Sequence, residues 1–228
     1  MKNNEQLDFS TMLATSIHDM KNSLAMVLQS IEDLDLADNL TTTQHKSVSN
    51  LHYQTSRINS TLMQLLALYR EEKKQLPVVI EENAVDELVT DVLERNRLYL
   101  NSHHIKLSVK VENNLRGYYD VDLISYLLSD ILINALRHAK SEVIIRAYYQ
   151  DQFLLFEVED DGEGYPHYML NVNEDEFATF NANKGRSGLG LLFAKKIAQA
   201  HKLKAITGSI SLKNKPDNTG SLFTLRLP

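Results

Sequence analysis

Leu13, Ile17, Met20, Leu24, Val27, Ile31 and Leu34 recur at alternating spacings of four and three, the apolar seam of one long helix. Val48, Leu51, Thr55, Ile58, Leu62, Leu65 and Tyr69 repeat the pattern on a second. Between them, Asp38-Asn39-Leu40-Thr41-Thr42-Thr43 carries turn and N-cap chemistry in too little chain for anything except a tight reversal. The pattern predicts an antiparallel helical hairpin. One seam buries too little surface to offset the backbone entropy of ordering two long helices, so a second seam is needed. A twofold homodimer forming a four-helix bundle supplies it.

After Arg70-Glu71-Glu72-Lys73-Lys74 and the helix-stopping Pro77, the period changes. Helical patterns near Val85 to Leu100, Val121 to Ala139 and Leu189 to Ala200 alternate with strand-like runs. Those runs are Ile105 to Val111, Glu142 to Tyr149, Phe153 to Asp160, Gly208 to Leu212 and Ser221 to Leu227. Gln150-Asp151 reads as a reversal between two strands, and Pro216 to Gly220 as a loop between the last two. The expected fold class is α+β: a hairpin over residues 1–74 that forms a dimeric four-helix bundle, then a two-layer α/β sandwich over 75–228.

With 228 residues, 43% of them hydrophobic, the chain has material for a real core. A net charge of -6 and the lack of a basic tract argue against binding nucleic acid or an anionic membrane. Zero cysteines exclude disulfides and thiolate metal sites and fit a cytoplasmic location. No stretch is apolar enough for a signal peptide or a membrane span. The stretch before Phe9 is too short to fold as a sensor, so input is expected from a separate sensory protein.

Candidate chemistry sits in four places. On the helix from Val121, Ser125, Leu128, Ile131, Leu132 and Ala135 can line the buried side, which leaves Asp130, Asn134 and Arg137 on a neighbouring face. Asn134 can ligate Mg²⁺, Asp130 can ligate it or hold a water, and Arg137 can meet phosphate; an exposed polar stripe is the plain alternative. Asp160-Asp161-Gly162-Glu163-Gly164 ends a strand, where a carboxylate can reach an amino group and glycines allow a sharp turn. An acidic turn is the plain alternative, and the motif alone is weak evidence. Gly188-Leu189-Gly190-Leu191 opens a helix whose free N–H groups suit an anion, or is merely a helix start.

The fourth place is Ser16 to Asn22, with His18 beside the apolar seam. Neutral imidazole is a good nucleophile near neutral pH, and Asp19 can accept a hydrogen bond from one ring nitrogen, leaving the other to attack phosphorus. A solvated surface histidine is the alternative. Asn22, one turn along the same face, can orient a water, or can be a solvated outer position. The other histidines have no such setting, although His138 can border a ligand on the Asn134 face.

In this order and at these separations, the segments resemble the transmitter core of sensor histidine kinases. His18 to Asn22 matches the phosphoacceptor box, Asp130 to Ala139 the asparagine box, and Asp160 to Gly164 and Gly188 to Leu191 the two glycine boxes. The resemblance runs from about Phe9 to Pro228. It implies a dimerisation and phosphotransfer hairpin joined to a Bergerat-type ATP-binding sandwich, with ATP and Mg²⁺ as cofactors. By position it gives Asn134 the Mg²⁺ and Asp160 the adenine amino group. Gly162, Gly164, Gly188, Leu189 and Gly190 take the mobile lid and phosphates, the lid being Tyr165 to Ser187. Asp130 stands where the family commonly has asparagine, Ser23 where it often has proline, and Arg186, a candidate phosphate contact, where many relatives have glycine.

The reading is autophosphorylation of His18 by Mg-ATP and transfer to an aspartate of a separate response-regulator receiver domain, since no receiver-like acidic segment is present. Asn22 adds a possible regulator-phosphatase role. A histidine phosphotransfer adaptor with a non-catalytic ATP-binding-like domain is the alternative, and a dimeric module using ATP only as a conformational ligand is a third.

Overall fold

The structure is a computed structural model that describes residues 9–35, 40–72, 78–102, 105–170, 189–216 and 219–228. Helices α1 (Phe9–Asp35) and α2 (Thr42–Glu72) form the hairpin. A capping box opens α2: Thr41 Oγ1 accepts from the Gln44 N–H at 3.3 Å, and Gln44 Oε1 accepts from the Thr41 N–H at 2.8 Å. His45 Nδ1 lies 2.9 Å from Asp35 Oδ1 and His52 Nε2 3.5 Å from Glu32, which fixes the antiparallel pairing near the turn. Asp38 and Asn39 of the predicted reversal lie outside the described residues.

The predicted seam is only partly covered within one chain. Ile31 and Val48 are buried, whereas Met20, Val27, Leu34, Leu51, Ile58 and Leu65 each keep 46–58% of their surface exposed. The side chains of Leu13, Ile17 and Tyr69 lie outside the described residues.

The second part is a five-stranded sheet in the order β2 (Lys106–Val111), β4 (Glu142–Gln150), β5 (Phe153–Asp160), β9 (Ser221–Leu227), β8 (Ser209–Asn214). β2 pairs parallel to β4, and the other neighbours are antiparallel. Alternation assigns the faces. Val143, Ile145, Leu154, Phe156, Val158, Phe223, Leu225 and Leu227 point inward and are buried beneath α3 (Val85–Arg95), α5 (Val121–His138) and α7 (Leu189–Ala200), while Arg146, Glu157 and Glu159 lie outward. All five α5 residues expected on the buried side, from Ser125 to Ala135, are buried.

Local chemistry moves some expected boundaries. The helix predicted over Val85 to Leu100 breaks at Asn96, whose side-chain amide donates to the Val92 carbonyl at 2.6 Å and to Ser129 Oγ at 3.2 Å. Such side-chain bonding competes with the helical ladder, and α4 (Arg97–Ser102) sets off separately. The reversal between β4 and β5 is Asp151-Gln152, one residue later than predicted, with φ of 49° and 69° at its two residues; paired positive φ values suit the twist of a two-residue hairpin. Two small sheets and the one-turn helix α6 (His167–Leu170) were not foreseen; the sheets are β1 (Glu81–Ala84) with β3 (Arg116–Tyr119), and β6 (Lys202–Leu203) with β7 (Ile206–Thr207).

The hairpin and sandwich touch. Leu98 on α4 packs with Ile31 and Val48, Ser49 Oγ donates to the Leu98 carbonyl at 2.7 Å, and the Tyr53 and Tyr99 rings lie 4.9 Å apart. Among the described residues no helix is long and apolar enough to cross a membrane.

Asp120 ties the start of α5 to two distant segments. Its carboxylate accepts from the N–H groups of Leu123 and Val79, at 3.0 and 2.9 Å, and its own N–H donates to Nε2 of the buried His201 at 3.0 Å. His201 Nδ1 meets the Ile197 carbonyl at 2.8 Å, so the ring is held neutral with its proton on Nδ1. Burial lowers its pKa, outweighing the Ile197 carbonyl and Asp120. Below the ordinary histidine pKa the unfolded chain therefore takes up a proton that the folded chain refuses. Stability is full above about pH 6.5 and falls as pH drops toward the folded-state value. His52, lowered by burial against the pull of Glu32, acts in the same direction. Urea unfolding should show lower stability at about pH 5.5 than at about pH 7.5, with His201→Gln shrinking the difference. An unchanged difference in the variant would assign the effect elsewhere.

Candidate functional site

The inner face of the sheet ends in a polar row. Two residues beyond Val158 the alternation brings Asp160 inward, and the register sets Asp160 opposite Ser221 and Ser221 opposite Asn214 across β5, β9 and β8. Asp160 is 5% exposed; its Oδ1 accepts from the Gly162 N–H at 2.7 Å and its Oδ2 from the Ser221 hydroxyl. Gly162 lets the chain turn tightly under the end of α5, because a Cβ there would stand 2.3 Å from the His138 carbonyl oxygen.

The neighbouring carboxylate does something else. Asp161 accepts from the N–H groups of Lys140 and Ser141, at 2.8 and 3.0 Å, and from the Ser141 hydroxyl at 2.5 Å. Burial pushes its pKa up, but these donors outweigh it and hold it well below the usual carboxylate range. Asp161 fastens the entry to β4, and Asp160 faces the interior.

Asp160 opens onto a cavity of about 600 Å³ between α2, α5 and the ends of β5 and β9, a size ordinary for a small-molecule site. Asp130, Asn134, Arg137 and His138 line it from α5, Gly164 and Tyr165 from the segment after β5, Gly190 and Leu191 from α7, and Ser221 from β9. Asn134, Arg137 and His138 are exposed to it. Asp130 is enclosed: Gln64 of α2 donates to its Oδ2 at 3.3 Å, and a Cβ on Gly190 would stand 2.6 Å from the same oxygen. Burial raises the Asp130 pKa, against the lowering effect of the Gln64 hydrogen bond.

The structure therefore gathers Asp130, Asn134, Arg137, His138, Asp160, Gly164 and Gly190 around one cavity, with Gly162 supporting Asp160 from behind. Arg186, Gly188, most of the Tyr165 to Ser187 segment and the Leu189 side chain lie outside the described residues. His18 sits within α1, its side chain likewise outside them. Asp19 and Asn22 are exposed on α1 and do not line the cavity. Ser23 donates to the Asp19 carbonyl at 3.0 Å, and α1 runs through that point as one helix.

Sequence reasoning named Tyr165 only as the start of the lid, and it missed Ser221, which lines the cavity, and Asn214, which bonds to Tyr165 beside it. It also missed the α2 wall, which includes Gln64. Alternation with Phe223 and Leu225 would have placed Ser221 inward; no comparable pattern marks Gln64.

Residues 119–228 match the family described as Histidine kinase-, DNA gyrase B-, and HSP90-like ATPase. The sensor histidine kinase GraS of Staphylococcus haemolyticus is 30% identical over 183 residues, 78% of this chain and 51% of that protein. The sensor protein KdpD of Clostridium acetobutylicum is 25% identical over 229 residues, 96% of this chain and 24% of its own length. The chain thus spans about half the length of the first relative and about a quarter of the second. The fold resembles that of the histidine kinase AdeS of Acinetobacter baumannii, with a TM-score of 0.59 at 22% identity over 92% of this chain and 96% of that one. It also resembles full-length ShkA in complex with AMPPNP, with a TM-score of 0.61 at 21% identity over 95% of this chain and 45% of that one. The ATPase-type match over 119–228 and the kinase relatives that extend across the hairpin agree with the site: residues 119–228 carry that ATPase domain, and the chain is similar to the transmitter cores of sensor histidine kinases.

Proposed function

We propose that this chain binds Mg-ATP in the cavity, phosphorylates itself on His18 and passes the phosphoryl group to an aspartate of a response-regulator receiver domain. The observation that carries the reading is Asp160, a buried carboxylate held by Gly162 and Ser221 at the mouth of a cavity that also receives Asn134. A carboxylate fixed in this way accepts from the exocyclic amino group of adenine, and the first turn of α7, where the missing Cβ of Gly190 makes room for Asp130, offers helix N–H groups to phosphates.

The donor set fits the metal too. Asn134 offers an amide oxygen at the cavity wall, and Mg²⁺ is ordinarily held by one or two protein oxygens together with phosphates and waters. Asp130 is the second oxygen donor, once Gln64 releases it. When bound, the metal neutralises charge on the phosphoryl oxygens. Arg137 adds a guanidinium to the same wall.

At the acceptor, the unprotonated nitrogen of His18 attacks the γ-phosphorus in line, the new N–P bond forming as the bond to the ADP oxygen breaks. Asp19 holds the proton on the other ring nitrogen. The exposed seam of α1 and α2 supports a twofold dimer in which two hairpins cover one another as a four-helix bundle. A cytoplasmic location for this core accords with the regulator it addresses. Residues 1–74 are then the dimerisation and phosphotransfer unit, and 75–228 the ATP-binding unit.

Incubation with γ-labelled ATP and Mg²⁺ tests the function directly. Labelled protein is the expected result; nucleotide bound but not transferred would indicate a conformational module, and no binding an adaptor. His18→Gln should abolish labelling yet retain ATP binding, while Asn134→Ala should lose Mg-dependent binding and labelling together. Acid-labile label on the His18 variant would overturn the assignment.

Asn22 lies one helical turn beyond His18, so its amide can orient a water against a phosphoaspartate docked there. Asn22→Ala should retain most autophosphorylation and slow regulator dephosphorylation by about tenfold or more, about 1.4 kcal/mol in barrier. Assayed on one preparation, an unchanged dephosphorylation rate rejects the water-positioning role, and loss of both activities indicates damage to the helix or to docking.

A further inference from the structure

The chain leaving β5 is strapped across the polar row at the end of the sheet. Tyr165 N–H donates to Asn214 Oδ1 at 2.7 Å, and Asn214 Nδ2 donates to the Tyr165 carbonyl at 2.9 Å. One side-chain amide thus satisfies both backbone groups of Tyr165, as a neighbouring strand would. Gly164 makes the approach possible. Its φ is 81°, and a Cβ there would lie 2.8 to 2.9 Å from the atoms of the Asn214 amide.

The strap places Tyr165 over the residues that hold the site carboxylate. Asn214 pairs with Ser221 and Ser221 with Asp160 across adjacent strands, so the three share one face and one row. Ser221, which acts on the Tyr165 hydroxyl, itself donates to Asp160 Oδ2. Burial, offset in part by Ser221 and reinforced by Asp160, pushes the tyrosine pKa up to about 12, so the ring stays neutral and can remain packed there. Tyr165 and Gly164 both line the cavity.

We infer that Asn214 is a positioning residue for nucleotide-base selection: by clamping Tyr165 it closes the Asp160 end of the cavity and holds that carboxylate for a purine with an amino group at position 6. This rests on the nucleotide reading above and adds to it a residue outside the phosphate-binding elements. Adenine presents a donor to Asp160 where guanine presents a carbonyl oxygen. A dry, fixed carboxylate rejects that oxygen strongly because both groups lose their water and gain no partner. With the strap loose, water competes for a carboxylate that is no longer held in place, so the bond to the adenine amino group weakens while guanine, which makes no such bond, is little affected.

Binding of ATP and of GTP, each with Mg²⁺, is measured by calorimetry on the full chain and on Asn214→Ala, Asn214→Asp and Asp160→Asn. Wild type should prefer ATP. Asn214→Ala should lose about tenfold in ATP affinity with GTP affinity changed by less than about twofold, a selectivity loss of about 1.4 kcal/mol. Asn214→Asp, which keeps the acceptor for Tyr165 N–H and lacks the donor to its carbonyl, should lose about threefold to fivefold in selectivity. Simple structural damage lowers both affinities together and leaves their ratio intact, so a parallel loss overturns the proposal, as does an unchanged ratio. Should circular dichroism show Asn214→Ala unfolded, the ratio for Asn214→Asp decides in the same way. If wild type prefers ATP and Asp160→Asn abolishes that preference while both Asn214 variants keep it, only this inference falls. If wild type binds no ATP, the nucleotide reading falls and takes this inference with it.

Discussion

The site depends on the register of β5, β9 and β8. Along their shared inner face, apolar residues such as Val158, Phe223 and Leu212 give way at the next inward position to Asp160, Ser221 and Asn214. The hydrophobic core and the polar row are consecutive steps of one alternation, so the burial that fixes the register also fixes the carboxylate. A slip of one residue would turn every inward side chain outward and dissolve both at once. Gly220 protects this register: with φ of 145° and only 2.0 Å from a would-be Cβ to the Asp160 carbonyl oxygen, no other residue fits beside that strand.

The helical layer meets the row from above, and its polar stripe has two environments. Asn134 and Arg137 face the cavity, while Asp130, one turn earlier, is enclosed by Gln64 and Gly190. The same stripe therefore carries an available amide and a guarded carboxylate. A ligand group that displaced Gln64 from Asp130 would link occupancy of the cavity to the packing of α2, and by thermodynamic reciprocity hairpin packing would then affect the affinity of that ligand by the same factor.

Much of this was legible in the sequence because it rests on periodicity. The heptad seams, the buried face of α5 and the five main strands each repeat a spacing that only one element satisfies. The two small sheets were not, since Glu81–Ala84 and Lys202–Leu203 are too short to show a period. The break at Asn96 depends on a hydrogen bond to Ser129, 33 positions away, which no local window contains. The motifs singled out Asp160, Asn134 and Gly190, residues chosen for the chemistry of their type, and the fold brings all three to one cavity. Asn214 and Gln64 escaped notice because their roles come from what the fold places opposite them.

The short helix α4 belongs to both parts of the molecule. It is linked in sequence to the sandwich, yet Leu98 and Tyr99 are covered by Ile31, Val48 and Tyr53 of the hairpin, and Ser49 caps the Leu98 carbonyl. Excising the sandwich by cutting the chain between α2 and β1 is therefore not a clean cut. The fragment would carry a raw aromatic and aliphatic scar where the hairpin had been, together with a carbonyl that has lost its donor. Self-association of such a fragment through that scar would report the excision and not the quaternary structure of the intact chain.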